Sequence, residues 1–426
     1  MSKFNDKYEN YNSRIQDLVG TLLKWVFLSI IIGIGVGLIS AAFSYLIAIA
    51  TDYRISHKWV VFGLPIGGLI IVALYRISGQ ARNAGTNMVM QVVRNDRELM
   101  PGRVAPLILV ASIITHFFGG SAGREGAALQ FGASIGDWFG RRIHLNESDR
   151  KIITLASMSA AFSGLLGTPM AAALFPMEVI SVGIFYYAAL VPCVFSSFIA
   201  QEVCLLLNVR TLATPYGITI VPSFYSWDTV KVILMAIAFA AAGVLFCTAM
   251  HTAEGLYSKY IKNQYIRVVV GGFLVIALYL LLGTDAYLGL GDTVIKDSFT
   301  NPAGFEMFLL KILFTAVTLC AGFKGGEIVP TFFIGATLGS ALSVLTGMPV
   351  NLCAACGMVG VFCAVTNSPI TSFILAFELF GGAGMKFYCI VIAICYLMSG
   401  YTSLYKEQRI AYSKTKNKYI NRQVTK

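Results

Sequence analysis

Two short stretches of this chain combine glycines, a carboxylate and the opening of an apolar helix. They are Gly119-Gly120-Ser121-Ala122-Gly123-Arg124-Glu125-Gly126 and Gly322-Phe323-Lys324-Gly325-Gly326-Glu327-Ile328-Val329-Pro330. Glycines let backbone N–H groups approach a ligand closely, and the free N–H groups of a helix start carry about half a positive charge. Such a terminus is an anion site. Two of them converging would hold an anion without a fully paired lysine or arginine, and would therefore release it readily.

The glutamate in each stretch is repulsive in a bare anion site, and a carboxylate inside a membrane is costly enough to be a functional candidate by default. One role reconciles these facts. The carboxylate competes with the anion for the same donors, and protonation releases it. Burial favours its neutral form and the helix termini its charged form, so it exchanges protons as its surroundings change and couples proton to anion movement. The competing reading is a glutamate that caps its own helix.

The elements that must place these stretches are membrane helices. Only 12% of the 426 residues are charged and 57% are hydrophobic, with mean hydropathy +0.73, against about 25% charged in a soluble domain. That composition excludes a soluble enzyme and leaves no room for an appended catalytic domain. A long apolar run from Leu22 to Ala50 reads as the first span. Many later segments are shorter than the roughly 20 residues that cross a bilayer and are interrupted by Gly or Pro, the pattern that puts helix ends at the membrane midplane.

The chain also repeats itself. Phe131-Gly132-Ala133-Ser134-Ile135-Gly136 matches Ile334-Gly335-Ala336-Thr337-Leu338-Gly339 at an offset of 203 residues, and Thr168-Pro169-Met170 through Met177-Glu178 matches Ser368-Pro369-Ile370 through Phe377-Glu378 at an offset of 200. Two matches in the same order imply a duplicated half. The expected organisation is an N-terminal segment 1–21, membrane repeat 22–207, linker 208–227, membrane repeat 228–410 and a basic tail 411–426. The alignment leaves the repeats parallel or inverted, inversion being the common solution for a midplane site.

The formal net charge of +11 records topology rather than nucleic-acid binding. Lys406, Arg409, Lys414, Lys416, Lys418, Arg422 and Lys426 crowd the C-terminus, and Arg141, Arg142, Arg150 and Lys151 one loop. The positive-inside rule places both groups, and both termini, in the cytoplasm of a multi-pass protein of the plasma (cell inner) membrane. Nine cysteines lie mostly in apolar segments. Cys353 and Cys356 form an isolated CxxC among Leu and Ala, and no Cys/His cluster, nucleophile elbow or P-loop lysine points to a metal, a cofactor or an enzyme.

These residues resemble the CLC family of chloride channels and anion/proton exchangers. Gly123-Arg124-Glu125-Gly126 is similar to its gating-glutamate motif, and Gly325 to Pro330 to its second anion-binding helix start. The resemblance spans about Leu22 to Tyr405. It implies an all-α polytopic membrane protein of two inverted repeats with about 18 helices, many short, tilted or broken. It also implies a homodimer with one pore per subunit, and Glu125 as the external gate. Where chloride-type members carry Gly-Ser-Gly-Ile-Pro, this chain has Gly85-Thr86-Asn87-Met88-Val89. Where they carry an apolar residue after the paired glycines, it has Glu327. Both departures resemble the bacterial fluoride/proton antiporter branch. The proton-accepting glutamate of many chloride exchangers would align at Val179 and is absent. The pore tyrosine of the last helix looks like Tyr401.

The expected function is a proton-coupled anion antiporter that exports fluoride in exchange for protons, with a passive chloride or fluoride channel, or a chloride/proton exchanger of the same fold, as alternatives. Glu125 and Glu327 would gate and couple. Gly85, Thr86, Asn87, Met88, Gly123, Arg124, Gly126, Gly326, Ile328, Val329 and Tyr401 would surround the anion. Fluoride is small and strongly hydrated, so threonine, asparagine, tyrosine and backbone N–H donors suit it. Glu178 and Glu378, at equivalent repeat positions, read as structural caps. Lys324 reads as a lysine at the pore mouth or at the lipid surface.

Overall fold

The computed structural model describes residues 2–81, 85–94, 99–209, 211, 217–218 and 220–424, and side chains from residue 14 onward. Residues 210, 212–216 and 219 of the linker 208–227, and Lys426 of the basic tail, lie outside these residues. The first repeat contains α1 (Ser2–Ser56), a 3-10 turn (Lys58–Gly63), α2 (Leu64–Ile77), α3 (Thr86–Arg94), α4 (Val104–Phe117), α5 (Glu125–Arg142), α6 (Glu147–Leu166), α7 (Pro169–Val179), β1 (Ser181–Val182), a second 3-10 turn (Tyr187–Ala189) and α8 (Leu190–Leu206). The second contains α9 (Trp227–Tyr260), α10 (Gln264–Leu282), α11 (Asp292–Asp297), α12 (Glu306–Ala321), α13 (Ile328–Thr346), α14 (Val350–Thr366), α15 (Pro369–Phe380) and α16 (Met385–Met398), followed by β2 (Arg409–Tyr412) and β3 (Tyr419–Gln423).

Six helical stretches among the described residues are long and apolar enough to cross a membrane, while Val104–Phe117, Pro169–Val179, Val350–Thr366, Pro369–Phe380 and Met385–Met398 are apolar but short. The polar N-terminal segment is not a separate element, because α1 runs unbroken from Ser2. The basic tail differs from expectation as well. It folds back as a small sheet in which β2 pairs in parallel with β1 and antiparallel with β3.

Glycines set the closest helix pairs. A Cβ on Gly132 would lie 2.8 Å from Ser157 O, and one on Gly136 2.8 Å from Thr154 Cα, so α5 and α6 pack backbone to backbone. The repeat counterparts Gly335 and Gly339 face Gly357 and Cys353 on α14 in the same way. Small residues that admit a second backbone are how helices associate where lipid removes the hydrophobic drive. Both halves then end a helix with a left-handed residue, Gly167 at φ +84 and Asn367 at φ +57. Each leads into a Pro-opened helix, α7 or α15, with proline at the first turn where its missing N–H costs nothing.

Reciprocal contacts show that the repeats are inverted. Glu178, near the end of α7, accepts hydrogen bonds from Ile370 N and Thr371 N at the start of α15 (2.9 and 2.7 Å). Glu378, near the end of α15, accepts from Met170 N and Ala171 N at the start of α7 (both 2.8 Å). Each glutamate caps the other repeat's helix, the favourable end for a carboxylate. Thr318 Oγ1 likewise accepts from Ser121 N and Thr115 Oγ1 from Lys324 N, each at 3.2 Å. Contacts exchanged in this way mark a two-fold relation. The α7 and α15 helices run antiparallel across it, so equivalent segments cross the membrane in opposite senses.

Candidate functional site

The axis of this pseudo-symmetry passes between the two glycine stretches. Gly123 N donates to Gly326 O at 2.6 Å and Gly326 N to Gly123 O at 2.7 Å, a two-residue antiparallel bridge. It sets the starts of α5 and α13 side by side. Within α5 the Ala128 N–H is already used on Arg124 O, and within α13 the Thr331 N–H on Glu327 O. Gly126 and Ala127, and Ile328 and Val329, therefore supply the helix-start donors, since Pro330 has no N–H.

Both glutamates lie at this junction. Glu125 is completely buried. Its Oε2 accepts from Arg124 N at 3.1 Å, whereas Oε1 sits 3.5 Å from Arg124 Nε and makes no hydrogen bond among the described residues. Arg124 is itself anchored, donating to Leu165 O at 2.9 Å and Ser44 Oγ at 3.3 Å. Glu327 is partly accessible, and its buried Oε2 also makes no hydrogen bond among the described residues. That oxygen faces the first turn of α5, 3.0 Å from where a Cβ on Gly126 would sit.

A cavity of about 290 Å³ leads to this junction, lined by Gly85, Thr86, Asn87, Gln130, Glu254, Lys324, Glu327 and Tyr405 among others. Gly85, at φ +61, turns the chain into α3. Thr86 and Asn87 border the cavity, and Asn87 Oδ1 also accepts from Glu407 N at 3.1 Å. Lys324 lies at the cavity wall with its Nζ 4.8 Å from the Tyr75 ring centroid.

Four expected positions behave differently from the rest. Met88 is enclosed in the main apolar cluster and its N–H is spent on Gly85 O, because it falls on the inward face of α3. The side chains of Ile328 and Val329 are in that cluster too, so these residues face the site only through backbone. Tyr401 turns away from the cavity. Its hydroxyl bonds Ser413 Oγ at 2.9 Å and its ring lies 4.8 Å from the Arg422 guanidinium, beside the terminal hairpin. Tyr405 instead lines the cavity together with Glu327, and its buried hydroxyl makes no hydrogen bond among the described residues.

Sequence reasoning missed Tyr405, and with it Gln130 and His116. Gln130 Nε2 donates to Gly126 O at 3.2 Å from within the cavity wall. His116 ring nitrogens lie 2.7 Å from Ser112 O and 3.1 Å from Ala122 O, clasping the loop that leads to Glu125. Gln130 falls one turn after Gly126 on α5, a spacing visible in the sequence. Nothing in the sequence marks the His116 contact.

Paired helix starts on a two-fold axis inside an apolar body agree with a family model described as voltage gated chloride channel, which matches residues 67–400. The chain belongs to this CLC family. It is 35% identical over 404 residues, covering 93% of this chain and 89% of the relative, to a chloride/fluoride channel protein of Pseudomonas syringae pv. tomato. The crystal structure of a CLC-type fluoride/proton antiporter superposes with TM-score 0.87 at 31% identity, over 91% of this chain and 98% of that one. A slow cyanobacterial chloride/proton antiporter superposes with TM-score 0.77 at 18% identity, over 88% of this chain and 94% of that one, a likeness of fold alone. This CLC protein thus has the fold of anion/proton antiporters, and CLC members are integral membrane transporters rather than enzymes.

Proposed function

We propose that this CLC protein exports fluoride in exchange for protons. The observation that carries this reading is the Gly123–Gly326 bridge, which presents two helix starts and two glutamates to one point. Deprotonated Glu125, held by Arg124 N at the start of α5, stands at the α5 donors and closes the path. A proton neutralises it, weakens its hold on those donors and lets fluoride take them. Gly123, Gly126 and Gly326 bring the backbones together, Arg124 fixes the gate loop, and Gly85, Thr86, Asn87 and Tyr405 form the wall through which the anion passes. Glu327, where the family resemblance implies an apolar residue in chloride-type members, is the second protonatable group and faces the same α5 turn. A compact set of hydroxyl, amide and N–H donors suits fluoride over chloride.

The protein is read as a homodimer with one pore per subunit in the cell inner membrane. Membrane repeats 22–207 and 228–410 are its two halves. The face that carries the start of α1 is the cytoplasmic one, supported by the basic residues gathered there: Lys24 pairs with Asp149, and Arg141 and Arg150 pair with the buried Asp137. Purified protein in liposomes with opposing fluoride and pH gradients tests the function. Fluoride leaving down its gradient should drive protons uphill in wild type, and Glu125→Gln should abolish that coupling. Fluoride flux without proton movement would support the passive-channel alternative, and equal chloride flux would remove fluoride selectivity.

A further inference from the structure

Two acids line the cavity, Glu327 at its inner end and Glu254 in the last two turns of α9. The Glu254 side chain is half exposed, with Oε2 2.5 Å from Lys406 Nζ. Lys324 lines the same cavity as these two acids. The other groups facing Glu254 are Lys406, in the segment after α16, Arg267 on α10, whose guanidinium is engaged on Ile261 O, and Cys320 on α12. A polar space of about 290 Å³ has room for several waters, each occupying about 30 Å³ of liquid. Glu327 Oε2, which has no hydrogen bond among the described residues, is a partner such waters would fill.

We infer that Glu254 is the proton port between Glu327 and the aqueous phase on the face carrying the start of α1, an inference that rests on the exchange reading above. In the inward-bound half of the relay the Glu327 carboxylic acid gives its proton to the cavity water chain, and the same chain gives one to the Glu254 carboxylate. Glu327 becomes a carboxylate and Glu254 an acid. Glu254, at the open end, then releases its proton to bulk water and returns to its pair with Lys406. No atom is lost and no other reactant is needed. The anion uses the helix starts instead, so the two ions part company inside the cavity.

The test is coupled transport in liposomes, with fluoride and proton movement recorded together for wild type, Glu254→Gln and Glu254→Asp. Glu254→Gln should slow proton transport at least about tenfold, the scale of losing one positioned proton carrier. Its fluoride-to-proton ratio should rise, and its dependence on pH at the α1-start face should flatten. Glu254→Asp should restore much of the proton rate, which a merely structural role would not predict, and equal reconstitution and melting of the variants separates folding from relay. Wild-type rate, ratio and pH profile in Glu254→Gln would overturn the inference alone. Wild-type protein carrying fluoride but no protons would overturn the exchange reading and this inference with it.

Discussion

Replacing Gly126 by alanine tests whether the two helix starts converge on the anion. The added Cβ would lie 2.7 Å from Gly326 Cα and 3.0 Å from Glu327 Oε2, where ordinary contact begins at 3.4 Å. The α5 and α13 starts must therefore separate by about 0.7 Å, straining the bridge between Gly123 and Gly326. Half a charge about 3 Å from an anion contributes about 2.8 kcal/mol at an effective dielectric of about 20, and about 2.2 kcal/mol at about 3.7 Å. Shared as about 0.35 Å per helix start, the separation costs about 0.6 kcal/mol over the two, so fluoride should bind about threefold more weakly. The same displacement pushes the Glu327 carboxylate, and proton coupling should loosen. Overpacking adds about 1–3 kcal/mol of destabilisation. Gly382→Ala, with nothing within 4 Å of the new Cβ, is the control and should match wild type. Isothermal titration with fluoride, a fluoride electrode on liposomes and a detergent melt read the three effects. Unchanged fluoride affinity and coupling in Gly126→Ala would refute convergence of the helix starts on the ion.

Three other outcomes follow from the same geometry. Glu178→Gln removes the charge that caps α15 and should cost about 2 kcal/mol of stability, read as a lower melting temperature, while fluoride and proton transport per folded protein stay near wild type; lost coupling in a stable variant would instead make Glu178 part of the proton path. Tyr405→Phe should weaken fluoride binding and alter turnover, whereas Tyr401→Phe should leave both unchanged, and the reverse pattern would reinstate Tyr401 as the pore tyrosine. Ser121→Ala removes its Oγ bond with Thr315 Oγ1 across the repeats (3.1 Å), and Thr318→Val removes the acceptor of Ser121 N; each should destabilise by about 1 kcal/mol, measurable by the same melt.

Much of the architecture was legible because the duplicated motifs are written in local sequence. The offsets of 203 and 200 residues identify the halves, and the structure then pairs Gly123 with its counterpart Gly326 and seats Glu178 on the helix that begins at Pro369. Glu178 and Glu378 read as caps from position alone, and the structure shows them capping each other's repeat. The terminal hairpin was not legible. Its strand β2 pairs with a two-residue strand more than 200 positions away, and its basic residues carry no periodicity to announce it.

By itself the sequence determined what can be stated from composition, glycine spacing and repetition: an apolar membrane body, two broken helix starts, and a carboxylate at each. Those properties are local, written in consecutive residues. The tertiary structure alone decided which neighbours those groups acquire. Left-handed Gly400, at φ +57, ends the run of α16, and Ser403 and Leu404 are tied to Val365 O. That turn sends Tyr401 to the terminal hairpin and Tyr405 to the cavity, a choice no spacing rule contains. In the same way Glu254, one acid among many in sequence, becomes a candidate proton port only because α9 brings its last two turns to the cavity that Glu327 closes.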